Sequence, residues 1–167
     1  EDAARVVADI NRLEPGMASA VRWDLQDDPP DLAEWRFTHG FFLASPPIRK
    51  GGPDQLDGAL YRRYRRFYVA GLETVLCRFA DCAEPGSVFV YASSKYVEVA
   101  PAGFAEYATA KREGETIGLQ LCDSLGLTFN VWRAPQLRTD QTTAFADQEV
   151  QDVGPIVASL LKDLVRA

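Results

Sequence analysis

The chain has 167 residues, 47% of them hydrophobic and 25% charged, a balance that excludes a disordered tail and a disulfide scaffold; no apolar run is long enough to cross a bilayer. Its 18 basic and 24 acidic side chains leave a net charge of -6, which excludes a protein whose main task is neutralising phosphates along nucleic acid. The 3 cysteines (Cys77, Cys82, Cys122) and the single histidine, His39, cannot build a standard zinc site by spacing, and an odd cysteine count suits a reducing, cytoplasmic setting.

The first residues, Glu1 to Arg12, read as a helix, with Val6, Val7, Ile10 and Leu13 on one face and Asp2, Arg5, Asp9 and Arg12 on the other. The chain opens without an initiator Met or a capping residue, so the visible start is expected not to be the natural one. After Pro15-Gly16, Ala18 to Leu25 has the apolar density of a short strand, ended by the Asp/Pro cluster from Asp27 to Asp31. Phe37 to Ala44 is a second strand, stopped by Pro46-Pro47. A loop from Ile48 to Pro53 leads to Asp54, the expected cap of a long helix reaching about Ala83. Ser87 to Ala92 is too continuously apolar to be half exposed and is expected inside a sheet covered on both faces. Ala105 to Leu125 is a helix stopped by Gly126, Leu127 to Trp132 a fourth strand, and Val150 to Val165 a closing helix. Strands alternating with long helices predict an α/β chain, a Rossmann-like three-layer sandwich on a mainly parallel sheet.

One constellation carries chemistry. Ser93 and Ser94 follow the buried strand, Tyr107 stands thirteen residues past Ser94, and Lys111 follows four residues later. That spacing puts the phenol and the ammonium on one helix face, one turn apart. A nearby lysine lowers a tyrosine pKa, so that the tyrosine can pass a proton to a carbonyl oxygen, and Ser94 can hydrogen-bond the same oxygen. Ser94 lies at the carboxyl end of a parallel strand, where open α/β sheets collect ligands.

The run SSKYVEVAPAGFAEYATAK resembles the active site of the short-chain dehydrogenase/reductase family, which includes the ketoreductases of fatty-acid and polyketide assembly. The resemblance implies that Ser94 orients a substrate carbonyl, that Tyr107 is the acid/base, and that Lys111 binds the nicotinamide ribose of NADP or NAD. It extends over most of the chain. Val21 to Asp24 is similar to the family's third strand, whose terminal acid, here Asp24, approaches the adenine. Phe42 to Pro46, with Ala44, is placed like the segment packed beside the cofactor. Arg133 to Thr139 is similar to the loop near the nicotinamide and pyrophosphate, with Pro135 and Thr139 matching and Gln136 where glycine is usual.

Two features depart from the family pattern. Tyr68 precedes Gly71 at the distance where the family places an Asn that completes a proton relay. The glycine-rich turn that brings a pyrophosphate to a helix N-terminus is absent from these residues. In the strand order 3-2-1-4-5-6, the two strands that would carry it lie mid-sheet. The fold is thus expected to be N-terminally truncated or abbreviated, short by about one βαβ unit, ~30 residues or more. A missing N-terminal segment or a partner chain would pair the edges so exposed.

Other features have plainer readings. The run from Tyr61 to Tyr68 is either a basic-aromatic patch for an acidic carrier or its phosphopantetheine arm, or arginines on a solvated face with Tyr61, Tyr64 and Tyr68 packed on the sheet. The long helix 54–83 is also where family members form homodimers. Ser93 and Ser94 could only cap a turn, His39 reads as a core or edge residue, and Asp27, Asp28 and Asp31 as a solvated turn. Two functions stand open. One is an NAD(P)H-dependent carbonyl reductase acting on a small-molecule or carrier-bound β-ketoacyl substrate. The other is a non-catalytic structural or docking module within a multidomain biosynthetic protein, formed by the single domain 1–167.

Overall fold

A computed structural model describes residues 2–25, 27–52, 56–137 and 151–165. Asp54, Thr139 and the loop 140–148 lie outside the described residues. Three strands form one fully parallel sheet: β1 (Phe37–Phe42), β2 (Ala83–Ser94) and β3 (Thr128–Ala134), in the order β1-β2-β3. The most apolar strand takes the centre, as its sequence requires, because a central strand is covered on both faces. Ser87, Phe89, Val90, Tyr91, Ser93 and Ser94 of β2 are buried. The register sets Gly40 beside Phe89, Phe42 beside Tyr91, and Tyr91 beside Val131.

The expected strand from Ala18 to Leu25 does not form, so the sheet has three strands among the described residues and not four. β propensity is expressed only where a neighbouring strand is available. Here the segment's first backbone groups turn to the preceding helix α1 (Asp2–Leu13): Ala18 N–H donates to Asn11 Oδ1 and Asn11 Nδ2 donates to the Ala18 carbonyl, each at 2.8 Å. Leu25 packs onto the core beside Gly71. The outer face of α1 stays open, with Val6 48% and Leu13 90% exposed.

Helices α2 (Gly58–Arg65) and α3 (Leu72–Ala80) run on through a π-helical segment, Arg66–Gly71. The start is capped by Asp57, whose carboxylate accepts from the N–H groups of Ala59 and Leu60. The run ends at Ala80, short of the expected Ala83, because Ala83 already opens β2. α4 (Ala105–Leu125) has the expected bounds, and Gly126 ends it at φ 69°, a left-handed conformation that favours glycine. The last helix, α5, spans Val153–Val165.

α3 and α4 pack against one face of the sheet around Phe42, Leu72, Leu76, Phe79, Phe89, Tyr91 and Cys122. Each leucine and phenylalanine among them, fully buried, contributes about 1.5–3 kcal/mol. A second cluster, Tyr64, Tyr68, Tyr107 and Ala110, joins α2 and the π segment to α4. The architecture is thus a Rossmann-like α/β fold, and the carboxyl ends of its parallel strands lie along one edge, carrying Ser94 and Pro135.

Candidate active site

Ser94 closes β2, and its Oγ accepts from the Tyr96 N–H at 3.2 Å, starting a single 3-10 turn, Lys95–Val97. Tyr107 lies in the first turn of α4 and Lys111 one turn later. All three are sheltered, with Ser94 9%, Tyr107 8% and Lys111 5% exposed. Burial pushes the Tyr107 phenol up to about 12, while the nearby Ser94 hydroxyl acts in the other direction. Tyr107 is therefore fully protonated at neutral pH. A serine and a tyrosine hydroxyl at the same strand end can both address one acceptor oxygen.

Lys111 is turned inward. Its Nζ donates to the Ala92 carbonyl at 2.5 Å and lies 3.9 Å from the centroid of the Tyr68 ring, 5.0 Å from that of Tyr91 and 5.9 Å from that of Tyr107. Burial draws its pKa down to about 7, with the charge of Glu115 acting in the other direction. The tyrosines around it hold one another in place. Tyr107 meets Tyr64 and Tyr68 edge-on at centroid distances of 5.7 and 5.6 Å, contacts that contribute about 0.5–1.5 kcal/mol each. The Tyr68 hydroxyl shares a 2.6 Å hydrogen bond with Ser45 Oγ, and the Tyr64 hydroxyl accepts from Arg49 N–H and donates to Arg49 O. Tyr64 and Tyr68 thus point into this chain's own core, whereas Arg62, Arg65 and Arg66 stay exposed.

The two serines part company. Ser93 Oγ donates to Glu115 Oε1 at 2.5 Å, and Glu115 also takes both arms of the Arg133 guanidinium, at 3.0 and 2.7 Å. Burial works to raise Glu115, but the hydrogen bonds from Arg133 and Ser93 outweigh it and hold the carboxyl below its ordinary range. Arg133 reaches Glu98 as well, so the ends of β2 and β3 are clamped to α4 beside the Ser94–Tyr107 pair.

Pro135 is half-buried directly after β3, and the neighbouring Gln136 side chain accepts from the Tyr96 hydroxyl at 3.1 Å. Ala44 packs against the core just past β1. Asp24 does not end a strand; it is exposed and lines a small hollow with Leu25, Arg66 and Phe67. The sequence marks Tyr68 by its distance from Gly71, but not its ring contact with Lys111. Two other residues give little signal in the sequence: Glu115 is visible only as the i+4 neighbour of Lys111, and Glu106 looks like an ordinary acid in a first helical turn. Glu106 is in fact 1% exposed: Oε1 accepts from Asp57 N–H at 2.7 Å, while Oε2 is buried without a hydrogen-bond partner. Among the described residues no His/Cys/Asp/Glu group could hold a metal ion, and no helix is long and apolar enough to cross a membrane.

No protein-family profile and no curated protein sequence matches the chain. Solved structures do. A short-chain dehydrogenase from Salmonella enterica serovar Typhi superposes with a TM-score of 0.77 at 17% identity over 94% of this chain and 72% of that one. An alternative dihydrofolate reductase from Brucella canis, complexed with NADP, gives 0.75 at 15% identity over 96% and 71%. An angucycline C-6 ketoreductase with bound NADP gives 0.57 at 15% identity over 75% of this chain and 47% of its own length. The chain therefore has the fold of the short-chain dehydrogenases and reductases, and it spans about half the length of that ketoreductase.

Proposed function

We propose that the chain carries the catalytic end of an NADPH- or NADH-dependent carbonyl reductase, with Ser94, Tyr107 and Lys111 as its working residues. The observation that carries this reading is that Ser94 and Tyr107 stand sheltered at the carboxyl end of β2, with Lys111 one turn further along α4. The fold is shared with reductases solved with NADP bound.

The residues fit one end of such a cofactor. Ser94, Tyr107 and Pro135 lie at the strand ends where a nicotinamide ring would be held, with Ala44 beside β1. By the family resemblance, Asp24 would serve the adenine and Thr139 the phosphates, whereas no glycine-rich turn is present in the 167 residues to receive the pyrophosphate. Bound NAD(P)H would supply hydride to the substrate's carbonyl carbon. Ser94 Oγ orients the carbonyl oxygen, and the Tyr107 hydroxyl gives it a proton as negative charge develops there. The Lys111 ammonium stabilises the tyrosinate left behind, against the burial that disfavours it, and by the family resemblance would turn to hold the ribose of the bound cofactor.

A carrier-bound β-ketoacyl substrate suits the surroundings. An open hollow of about 300 Å3, lined by Arg49, Lys50, Asp57, Ala59, Leu60 and Arg63, adjoins the segment that Tyr64 ties to Tyr107. Its cations match a phosphopantetheine arm or an acidic carrier. Residues 1–167 would then be part of a larger cytoplasmic domain or multidomain protein. The edge of β1 not paired with β2 would receive a further strand from elsewhere in the protein or from a partner chain. A homodimer through α2 and α3 would use their outward arginines, since Tyr64 and Tyr68 are spent inside.

The second reading, a non-catalytic docking module, is favoured by the inward turn of Lys111 onto Ala92 O and by the absent glycine turn. Carbonyl-dependent oxidation of NADPH, followed at 340 nm, separates the two. Turnover that disappears in Tyr107→Phe is expected for the reductase; turnover unchanged by that substitution would overturn the assignment.

A further inference from the structure

We propose that the ring faces of Tyr68 and Tyr91 form an aromatic seat that keeps Lys111 charged beneath the Ser94–Tyr107 pair, which makes Tyr68 a positioning residue for the proton transfer. The catalytic consequence rests on the reductase reading; the seat itself does not.

The need for a seat follows from the surroundings of the ammonium. Lys111 is 5% exposed, and no carboxylate pairs with it among the described residues. An ammonium has three N–H groups, and the Ala92 carbonyl accounts for one. Tyrosine rings also face Nζ. The Tyr68 ring centroid at 3.9 Å and the Tyr91 centroid at 5.0 Å both lie within the reach over which the negative face of a ring attracts a cation. The titratable groups around Nζ are Tyr68 from the π segment, Tyr91 from β2, and Tyr107 and Glu115 from α4. Glu115 already answers to Ser93 and Arg133 and acts on Lys111 only through its field. Burial draws the lysine down to about 7, and ring faces this close favour its charged form.

Three local features build the seat. The π segment Arg66–Gly71 carries Tyr68 at 0% exposure, and such interruptions of a helix are frequent at functional sites. Ser45 Oγ fixes the Tyr68 hydroxyl at 2.6 Å, so this side chain meets the ammonium with its ring and not its oxygen. Gly114 lets α4 come close: a Cβ there would fall 2.4 Å from the Tyr68 carbonyl oxygen and 2.5 Å from Tyr91 Oη.

The test titrates the Lys111 side chain by 13C NMR in the full chain without cofactor, its signal identified by loss in Lys111→Met. Tyr68→Phe keeps the ring and is expected to leave the Lys111 pKa within a few tenths of a pH unit. Adding one, two and three fluorines to the ring of that phenylalanine barely changes its size but drains its negative face. The Lys111 pKa is expected to fall with each step, by about one pH unit in all. The same series at Tyr91, whose hydroxyl has no hydrogen-bond partner, is expected to give a smaller fall because that ring is more distant. A Lys111 pKa indifferent to fluorination, or one that drops fully on Tyr68→Phe, would overturn the proposal. Neither result depends on turnover, so failure of the reductase reading would be seen separately.

Discussion

Burial pulls the two central groups apart, pushing Tyr107 up to about 12 and Lys111 down to about 7, so at neutral pH the phenol is a stable donor and the lysine gives up its proton far more readily than an exposed one. Tyr107→Phe removes the donor and keeps the ring packing; a rate loss of about 10²–10⁴-fold is expected in a carbonyl reduction assay. Lys111 also has a stability signature. Its folded pKa lies below the ordinary 10.5, so between about pH 7 and 10 the unfolded chain binds more protons and stability rises with pH. Urea denaturation of the chain and of Lys111→Met should show their difference shifting in the native chain's favour over that window, by on the order of a few kcal/mol. Above pH 10 the sign reverses for Tyr107, whose folded pKa is raised, and its contribution is lost as pH rises toward 12. Ser94, Tyr107 and Lys111 were legible because their relation is chain arithmetic across one strand, one turn and one helix. The ring of Tyr68 under Lys111 was not, since it depends on the π segment and on a through-space approach that no spacing encodes.

At the level of elements, legibility followed burial. β2 and α4 declared themselves, one by an unbroken apolar run and the other by Gly126 at its end, and both form where expected, β2 with longer bounds. Residues 18–25 have the same local character as a strand but no strand to pair with, and their backbone turns to Asn11 instead. The cap of α2 fell to Asp57, whose N–H reaches the buried Glu106 carboxylate and so ties α2 to α4. Asp57→Ala should cost about 1 kcal/mol in urea denaturation, through loss of the bonds to Ala59 and Leu60 N–H. Gly114→Ala tests the seam between α4 and the π segment. Because the added methyl would meet a backbone oxygen at 2.4 Å, the helices must part, and a loss of about 1–3 kcal/mol is expected together with a changed Lys111 environment.

For the whole molecule, the sheet is the informative object. Three parallel strands with β2 at the centre bring Ser94 and Pro135 to one edge, as the family fold does, and that much followed from strands alternating with helices. The strand count did not, because the number of strands depends on which neighbours are present and not on local composition. The chain spans 47% of the length of the angucycline ketoreductase and 72% of that of the Salmonella dehydrogenase, and it holds no glycine-rich turn. The central claim is that these residues nevertheless form the working end of a nicotinamide-dependent reductase. Its most direct test is calorimetric titration of the 167-residue chain with NADPH and with NADH. Saturable binding in the micromolar range, weakened at least tenfold in Lys111→Met, is the expected result; no binding of either nucleotide would contradict it and leave the docking module as the reading.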